Sequence, residues 1–203
     1  MLFSGAKLLA VAMALTGCAV GAPSTSNSRL VTIGFRRVSE EQAKQYQKAG
    51  DTLTLVKEVQ GSELGQAVYT TPGRDDWPAG PTQWYCVIQA EEAALKKTDK
   101  IWIPEKVIND AKKAKDSKAK NQVIDAYIGQ HDKKAKAGTK LNPQETLRMS
   151  VIGGSRDHAL QMAIPPGLVG KKSPLKTTVH CVPPVIFGPA VNYNSWENVV
   201  GNR

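Results

Sequence analysis

Apolar and polar positions alternate along much of this chain in the two-residue rhythm of half-buried strands, broken by one long stretch of helical spacing. Leu30-Val31-Thr32-Ile33-Gly34-Phe35 reads as a first strand, with Leu53-Thr54-Leu55-Val56 and Gln66-Ala67-Val68-Tyr69-Thr70 as further ones. Between the first two lies a short helix. Ser39 is its N-cap, Gln42 three residues on completes a capping box, and Gly50 ends it. Residues 71–82, rich in Pro and Gly, form a loop that neither a helix nor a central strand accommodates. Strand texture returns at Gln83–Ile88. It returns again at Thr146–Ile152 and His158–Ile164, a hairpin around Gly153-Gly154-Ser155-Arg156-Asp157, and at Thr177–Phe187, bent by Pro183-Pro184.

The helical stretch begins at Pro104, a residue tolerated in a first turn, and continues to about Gly129. Val107, Ile108 and Ala111 make an apolar stripe at one end, and Val123, Ile124, Tyr127 and Ile128 make another. Its middle, Lys112 to Lys120, holds nothing apolar larger than alanine. Strands on both sides of this insertion predict an α+β fold. The expected form is one mainly antiparallel sheet with a short N-terminal helix and one long Lys-rich helix.

Residues 1–17 follow a different pattern. A short segment with one positive charge, Lys7, leads into the apolar run Leu8 to Leu15, followed by Thr16-Gly17-Cys18. The run is about half of the roughly 20 residues a spanning helix needs, as in a signal peptide. Leu15-Thr16-Gly17-Cys18 resembles a lipobox, the processing motif of bacterial lipoproteins. That resemblance covers only the N-terminus. It implies cleavage before Cys18, a diacylglyceryl thioether on Cys18, and a membrane anchor through two or more acyl chains, which is stable where one chain is not. Ala19, where an aspartate would signal inner-membrane retention, implies the outer membrane. The expected division is a signal peptide at 1–17, the lipidated cysteine with a small-polar tether at 18–29, and a single α+β periplasmic domain at 30–203.

Removing 17 of 203 residues leaves 186, a length that suits one compact domain. Hydrophobic residues make up 41% of the chain and charged residues 22%, enough apolar content for a core. The formal charge is +9, and losing Lys7 lowers it to +8. With Cys18 lipidated, Cys86 and Cys181 remain as an even pair in strand-like contexts. In an oxidising compartment a disulfide is favoured over two buried thiols. It would close a loop of about 100 residues, worth about 4.7 kcal/mol in the chain-entropy picture.

Candidate chemistry is sparse. Gly153-Gly154-Ser155-Arg156-Asp157 lacks the final glycine of a nucleophile elbow, and His131, His158 and His180 are scattered away from metal-ligand partners. No catalytic residue, metal site or cofactor is assigned. Asp75-Asp76 reads as a turn rather than half of a calcium site. Lys112, Lys113, Lys115, Lys118 and Lys120 are the candidate contact for an anionic partner such as lipid, lipopolysaccharide or peptidoglycan, although a solvated face is the favoured reading. No aromatic residue is interleaved with these lysines, which disfavours nucleic acid. Trp77 and Trp84 are candidate aromatic contacts, against the alternative that they pack on the sheet beside Cys86. The leading expectation is a non-enzymatic outer-membrane lipoprotein, binding or scaffolding within a secretion- or conjugation-type envelope assembly with envelope protein partners. An envelope or peptidoglycan-acting hydrolase with a non-local site, and a surface adhesin or exclusion factor, are the alternatives. Replacing Cys18 with alanine should abolish palmitate labelling and release the chain from the membrane fraction; continued label on Cys18→Ala would refute the anchor.

Overall fold

The computed structural model describes residues 28–55, 62–77, 80, 82–155, 157–183 and 191–201. The signal peptide, Cys18 and most of the tether lie outside the described residues, as do Val56, Arg156 and the part of the Thr177–Phe187 segment beyond Pro183. The first half of the chain contributes β1 (Leu30–Val38), α1 (Glu40–Lys48), β2 (Val68–Thr70), β3 (Trp84–Glu91), α2 (Glu92–Lys97) and β4 (Lys100–Trp102). There follow α3 (Glu105–Lys112), α4 (Ser117–Gln130), β5 (Asp132–Lys133), β6 (Lys136–Lys140), β7 (Leu147–Val151), β8 (Leu160–Ile164), β9 (Thr177–Val182) and β10 (Val199–Val200).

The fold is α+β, but its strands form two main sheets rather than one. The first has the order β1-β3-β9 and is antiparallel throughout. The second has the order β10-β4-β7-β8-β2; β4 runs parallel to both β10 and β7, and the remaining pairs are antiparallel. β5 and β6 form a small separate hairpin. Alternation along the strands decides what lies between the layers. Ile33, Cys86, Ile88 and Val179 from the first sheet meet Val68, Leu147, Met149, Met162 and Ile164 from the second in one core. The opposite face of the second sheet offers Ile101, Ile103 and Ala163 to a second core, roofed by Ile108 and Ala111 of α3 and Ile124 and Ile128 of α4.

The expected long helix is two helices, and the Lys-rich middle is where they part. Asp116 takes extended angles and its carboxylate accepts a 2.7 Å hydrogen bond from the Ala119 N–H, so it caps a new helix instead of continuing the old one. Packing supplies the reason. A straight helix from Val107 to Ile128 would be about 30 Å long at 1.5 Å per residue, whereas five strands at about 4.8 Å spacing span only about 19 Å. Breaking at Lys113–Asp116, where nothing apolar needs cover, brings both stripes onto the same core.

Two expected strands are also corrected. Leu53-Thr54-Leu55 is not a strand; Asp51 carbonyl accepts from the Val179 N–H at 2.8 Å, and Leu53 is fully buried without forming a ladder. β2 begins at Val68 rather than Gln66, because the Gln66 N–H is taken at 3.0 Å by the Asn121 side chain on α4. Ser39 caps α1 as read, its Oγ accepting from the Gln42 N–H at 3.2 Å, and Gly50 follows the helix at φ +80°, but the Gln42 side chain donates to Thr54 Oγ1 at 3.2 Å and is not seen closing the expected capping box. Cys86 and Cys181 face each other directly across β3 and β9, Cα atoms 4.0 Å apart, and are joined as a disulfide.

Gly34 is a point of close approach between the two sheets. A Cβ there would lie 2.6 Å from Thr70 Oγ1, 2.8 Å from Thr70 Cβ and 3.2 Å from the Tyr193 hydroxyl. Thr70 and Tyr193 are both buried, so neither has room to withdraw. Gly34→Ala should destabilise the domain by roughly 1–3 kcal/mol through overpacking. Gly129, in α4 with open space around it, should behave oppositely, Gly129→Ala adding about 1 kcal/mol from helix propensity. Urea denaturation of the two variants beside the parent checks both signs.

Candidate functional site

The two sheets touch along a seam. β1 and β2 are joined there by Phe35 and Thr71, whose backbones exchange hydrogen bonds of 2.8 and 2.9 Å. Beside this bridge lies a cleft of about 170 Å³, walled by Phe35, Tyr69 and Trp77, with Arg36, Arg37, Thr70, Thr71 and Gln161 supplying polar surface. Adjacent positions on β1 point to opposite faces. Arg36 pairs in register with Cys86 and Arg37 with Tyr85.

The two arginines differ in their partners. Arg37 lies over the Tyr85 ring, 4.4 Å from its centroid, and pairs with Asp75. Arg74 also lies over that ring, at 4.9 Å, and its Nε donates to Asp75 at 2.8 Å. Hydrogen bonds and charge from Arg74, reinforced by Arg37, hold the Asp75 carboxyl below the usual carboxylate range. Asp76 closes the turn by accepting from the Gly73 N–H. Asp75 is therefore ion-paired and Asp76 bonded to the turn backbone.

Arg36 has no such answer. Its Nη1 donates to the Tyr69 carbonyl at 2.9 Å, while its buried Nε has no hydrogen-bond partner. Among the described residues it makes no ion pair. The Tyr46 hydroxyl, buried and without a well-formed hydrogen bond, lies within electrostatic reach of Arg36, and burial raises its pKa. Tyr69, by contrast, is held firmly: its hydroxyl donates to the Gly65 carbonyl at 2.8 Å and accepts from the Leu64 N–H at 2.7 Å.

A second polar network stiffens the floor beside the cleft. Burial alone would raise the Glu63 carboxyl, but hydrogen bonds from Lys112, the Gly153 N–H and Gln161 outweigh it and hold the pKa low. The contacts are 2.6, 2.9 and 2.8 Å. Buried Arg148 donates to the Leu64 and Pro143 carbonyls at 2.6 and 2.9 Å and to Asp125 at 3.0 Å. Together they fasten the segment preceding β2 to both helices and to β8.

The candidates from sequence separate accordingly. Trp77 is 46% exposed at the cleft, while Trp84 is half-buried against the main core, two different roles for the two tryptophans. The five lysines do not act as one set. Lys112 is committed to Glu63, which removes it from a free anion-binding face, and Lys113 pairs with Asp110 at 3.0 Å. Lys115, Lys118 and Lys120, at the break and on the first turn of α4, carry no ion pair among the described residues. Ser155 Oγ accepts from the Ala159 N–H, a turn contact. Among the described residues no group of three or more His, Cys, Asp or Glu could hold a metal, and no helix is long and apolar enough to cross a membrane. Arg36, Tyr69 and Gln161 were not singled out by sequence; the available signal was Arg36 alternating with Phe35 and Arg37 on the face of β1 that carries Val38.

Another cavity, about 210 Å³, contains buried Lys100 with Ser195, Trp196 and Glu197 on its walls. Lys100 Nζ donates to the Leu95 and Thr98 carbonyls at 2.6 and 2.7 Å, and Ser195 Oγ donates to the Asn192 carbonyl, so the lysine and the serine are both spent on backbone. Lys100 closes the C-terminal end of α2 from inside.

These features define a two-sheet α+β domain with an aromatic and cationic cleft at the junction of its sheets. The chain belongs to the family of unknown function DUF5910, whose model matches residues 62–202, more than two thirds of its length. No curated protein and no solved structure matches it. β1, and with it Arg36 and Arg37, precedes the matched span.

Burial pulls the Lys100 pKa down to about 8, against the opposing pull of Asp99 and Glu197. Between about pH 8 and the ordinary lysine value near 10.4 the unfolded chain holds a proton that the folded chain has released, so this group adds stability as pH rises. The stability of wild type relative to Lys100→Met should climb across that window by roughly 1 kcal/mol per pH unit. Denaturant titrations at pH 7, 9 and 10 measure it; a flat difference would mean that Lys100 titrates normally.

Proposed function

We propose that this protein is an outer-membrane-anchored lipoprotein whose periplasm-facing domain is a non-enzymatic binding or scaffolding component of a cell-envelope assembly. The observation that carries this reading is Leu15-Thr16-Gly17-Cys18 behind a short apolar run, a resemblance that implies export and lipidation. The Cys86–Cys181 disulfide supports an oxidising compartment. Support for binding rather than catalysis comes from the site itself. The cleft presents stacking surfaces and guanidinium groups, the chemistry of recognition. Ser195 and buried Lys100 bond backbone carbonyls, and Glu63 is held by Lys112, Gln161 and the Gly153 N–H. Lys115, Lys118 and Lys120 supply a separate cationic surface for an acidic partner.

Copurification tests the proposal. The full-length chain, chemically crosslinked in intact cells and recovered from mildly solubilised outer membranes, should bring the same envelope proteins in repeated preparations. Recovery as an uncrosslinked single species, or release of the wild-type chain in the soluble periplasmic fraction, would overturn it.

A further inference from the structure

We infer that the seam cleft is a binding site for a small ligand, or the end of a larger one, in which an anionic group is attached to a ring. The anion would pair with Arg36 and the ring would stack on Trp77. The argument begins with unanswered charge. A partly buried guanidinium carries a desolvation cost that a paired carboxylate normally offsets, and Arg37 and Arg74 have that partner in Asp75. Arg36 does not. Its Nη1 is spent on a neutral carbonyl, and its buried Nε faces only the neutral Tyr46 hydroxyl, so no carboxylate answers the charge of a guanidinium that lines the cleft. A phosphate or carboxylate entering there would gain a charge-assisted contact and meet no fixed acidic side chain among the cleft-lining residues.

The aromatic half of the cleft points the same way. Trp77, Leu30 and Leu55 are the exposed large hydrophobic side chains among the described residues, and of these Trp77 lines the cleft. An indole left in water beside a cationic recess is a surface on which a base or sugar ring stacks. Phe35 and Tyr69 form the rest of the apolar wall, and Tyr69 is immobilised by its two backbone hydrogen bonds. At about 170 Å³ the cleft is smaller than a pocket for a drug-sized molecule, so it would take the ring-and-anion end of a ligand only in part and not a folded partner. The chemistry is shared by a ring phosphate, as in a nucleotide, and by a ring carboxylate, as in an acidic amino sugar.

The inference rests on the domain being a binding module but not on its anchor. Its test is therefore calorimetric, on the detergent-solubilised full-length chain, separate from localisation and copurification. Adenosine monophosphate and N-acetylmuramic acid are the two anionic probes. Adenosine, N-acetylglucosamine and inorganic phosphate are the controls carrying only half of the proposed chemistry. At least one anionic probe should bind tenfold or more tightly than its uncharged counterpart and than phosphate, and which one binds identifies the source of the anion. Arg36→Gln should weaken that binding at least tenfold, and Trp77→Ala several-fold. Because Arg36 also bonds the Tyr69 carbonyl, its variant is first checked for native circular dichroism. Should it fail to fold, the exposed Trp77→Ala variant decides. Absence of binding by both anionic probes, or unchanged affinity in a folded Arg36→Gln or in Trp77→Ala, would overturn the inference even if the protein copurifies with envelope partners.

Discussion

The close approach of β1 to β2 is the constraint on which the rest of the structure depends. Gly34 lets the backbone of β1 pass within contact of Thr70 and Tyr193, and two hydrogen bonds between Phe35 and Thr71 then join one sheet to the other. Beyond that bridge the strands diverge, the three-stranded sheet folding over the face that carries Val68, Met149 and Met162. The main core exists because the seam holds the sheets at packing distance. Opening a gap of 0.5–1 Å would forfeit about a quarter to a half of each dispersion contact across it. The cleft exists for the same reason: where two sheets meet at one bridge, the next residue pair cannot close the ladder, and Arg36 fills the opening with a side chain bonded to the neighbouring strand.

Buried polar groups do the fastening elsewhere, and each has a definable task. Arg148 and Glu63 lie on the helix side of the second sheet and between them bond Leu64, Pro143, Asp125, Gly153, Gln161 and Lys112. They hold residues 62–65, which have no regular structure of their own, against α3 and α4. Gly65, at φ +84°, leaves the Arg148 guanidinium room beside the backbone; a Cβ there would lie 2.7 Å from Nη1. Lys100 serves the other core face by closing the end of α2. Removing one member of such a network leaves a buried charge or carbonyl unanswered, which commonly costs more than the bond itself contributes.

How far the fold is legible in the sequence depends on the range of the interactions involved. Strands β1, β3, β7, β8 and β9 are readable because alternation is local, and the α1 cap because its partners are three residues apart. The break between α3 and α4 is less so. Asp116 three residues before Ala119 is a cap signal, but the apolar stripes on either side match a continuous helix equally well, and only the width of the sheet beneath decides. The start of β2 depends on Asn121, 55 positions away, capturing the Gln66 N–H. The site is the least legible part. Arg36 and Tyr69 are 33 positions apart, and Gln161 joins them only through β8 pairing with β2. Even Trp77, the one cleft residue singled out from sequence, is distinguishable from Trp84 only once burial is known.

The position of the cleft on β1 bears on what it meets in the envelope. An anchor at Cys18 would hold the domain through about ten tether residues entering at the Leu30 end of β1, a reach of roughly 18 Å for a flexible chain. Arg36 is six residues further along the strand, roughly 20 Å at 3.3 Å per residue. With such an anchor, attachment and the proposed recognition would sit toward opposite ends of one strand. If β1 points away from the bilayer, the cleft end would lie in solution rather than against headgroups. That separation would favour a ligand presented in the periplasm over a lipid of the anchoring leaflet. It would also give exposed Lys115 and Lys118 and half-buried Lys120 a different role from Arg36: they are charges at an open helix turn, whose attraction decays over a Debye length of about 10 Å at 0.1 M salt. Arg36 is bound to the sheet backbone inside an aromatic wall, so its contact with an anion would be short-ranged, partly desolvated and far less sensitive to salt.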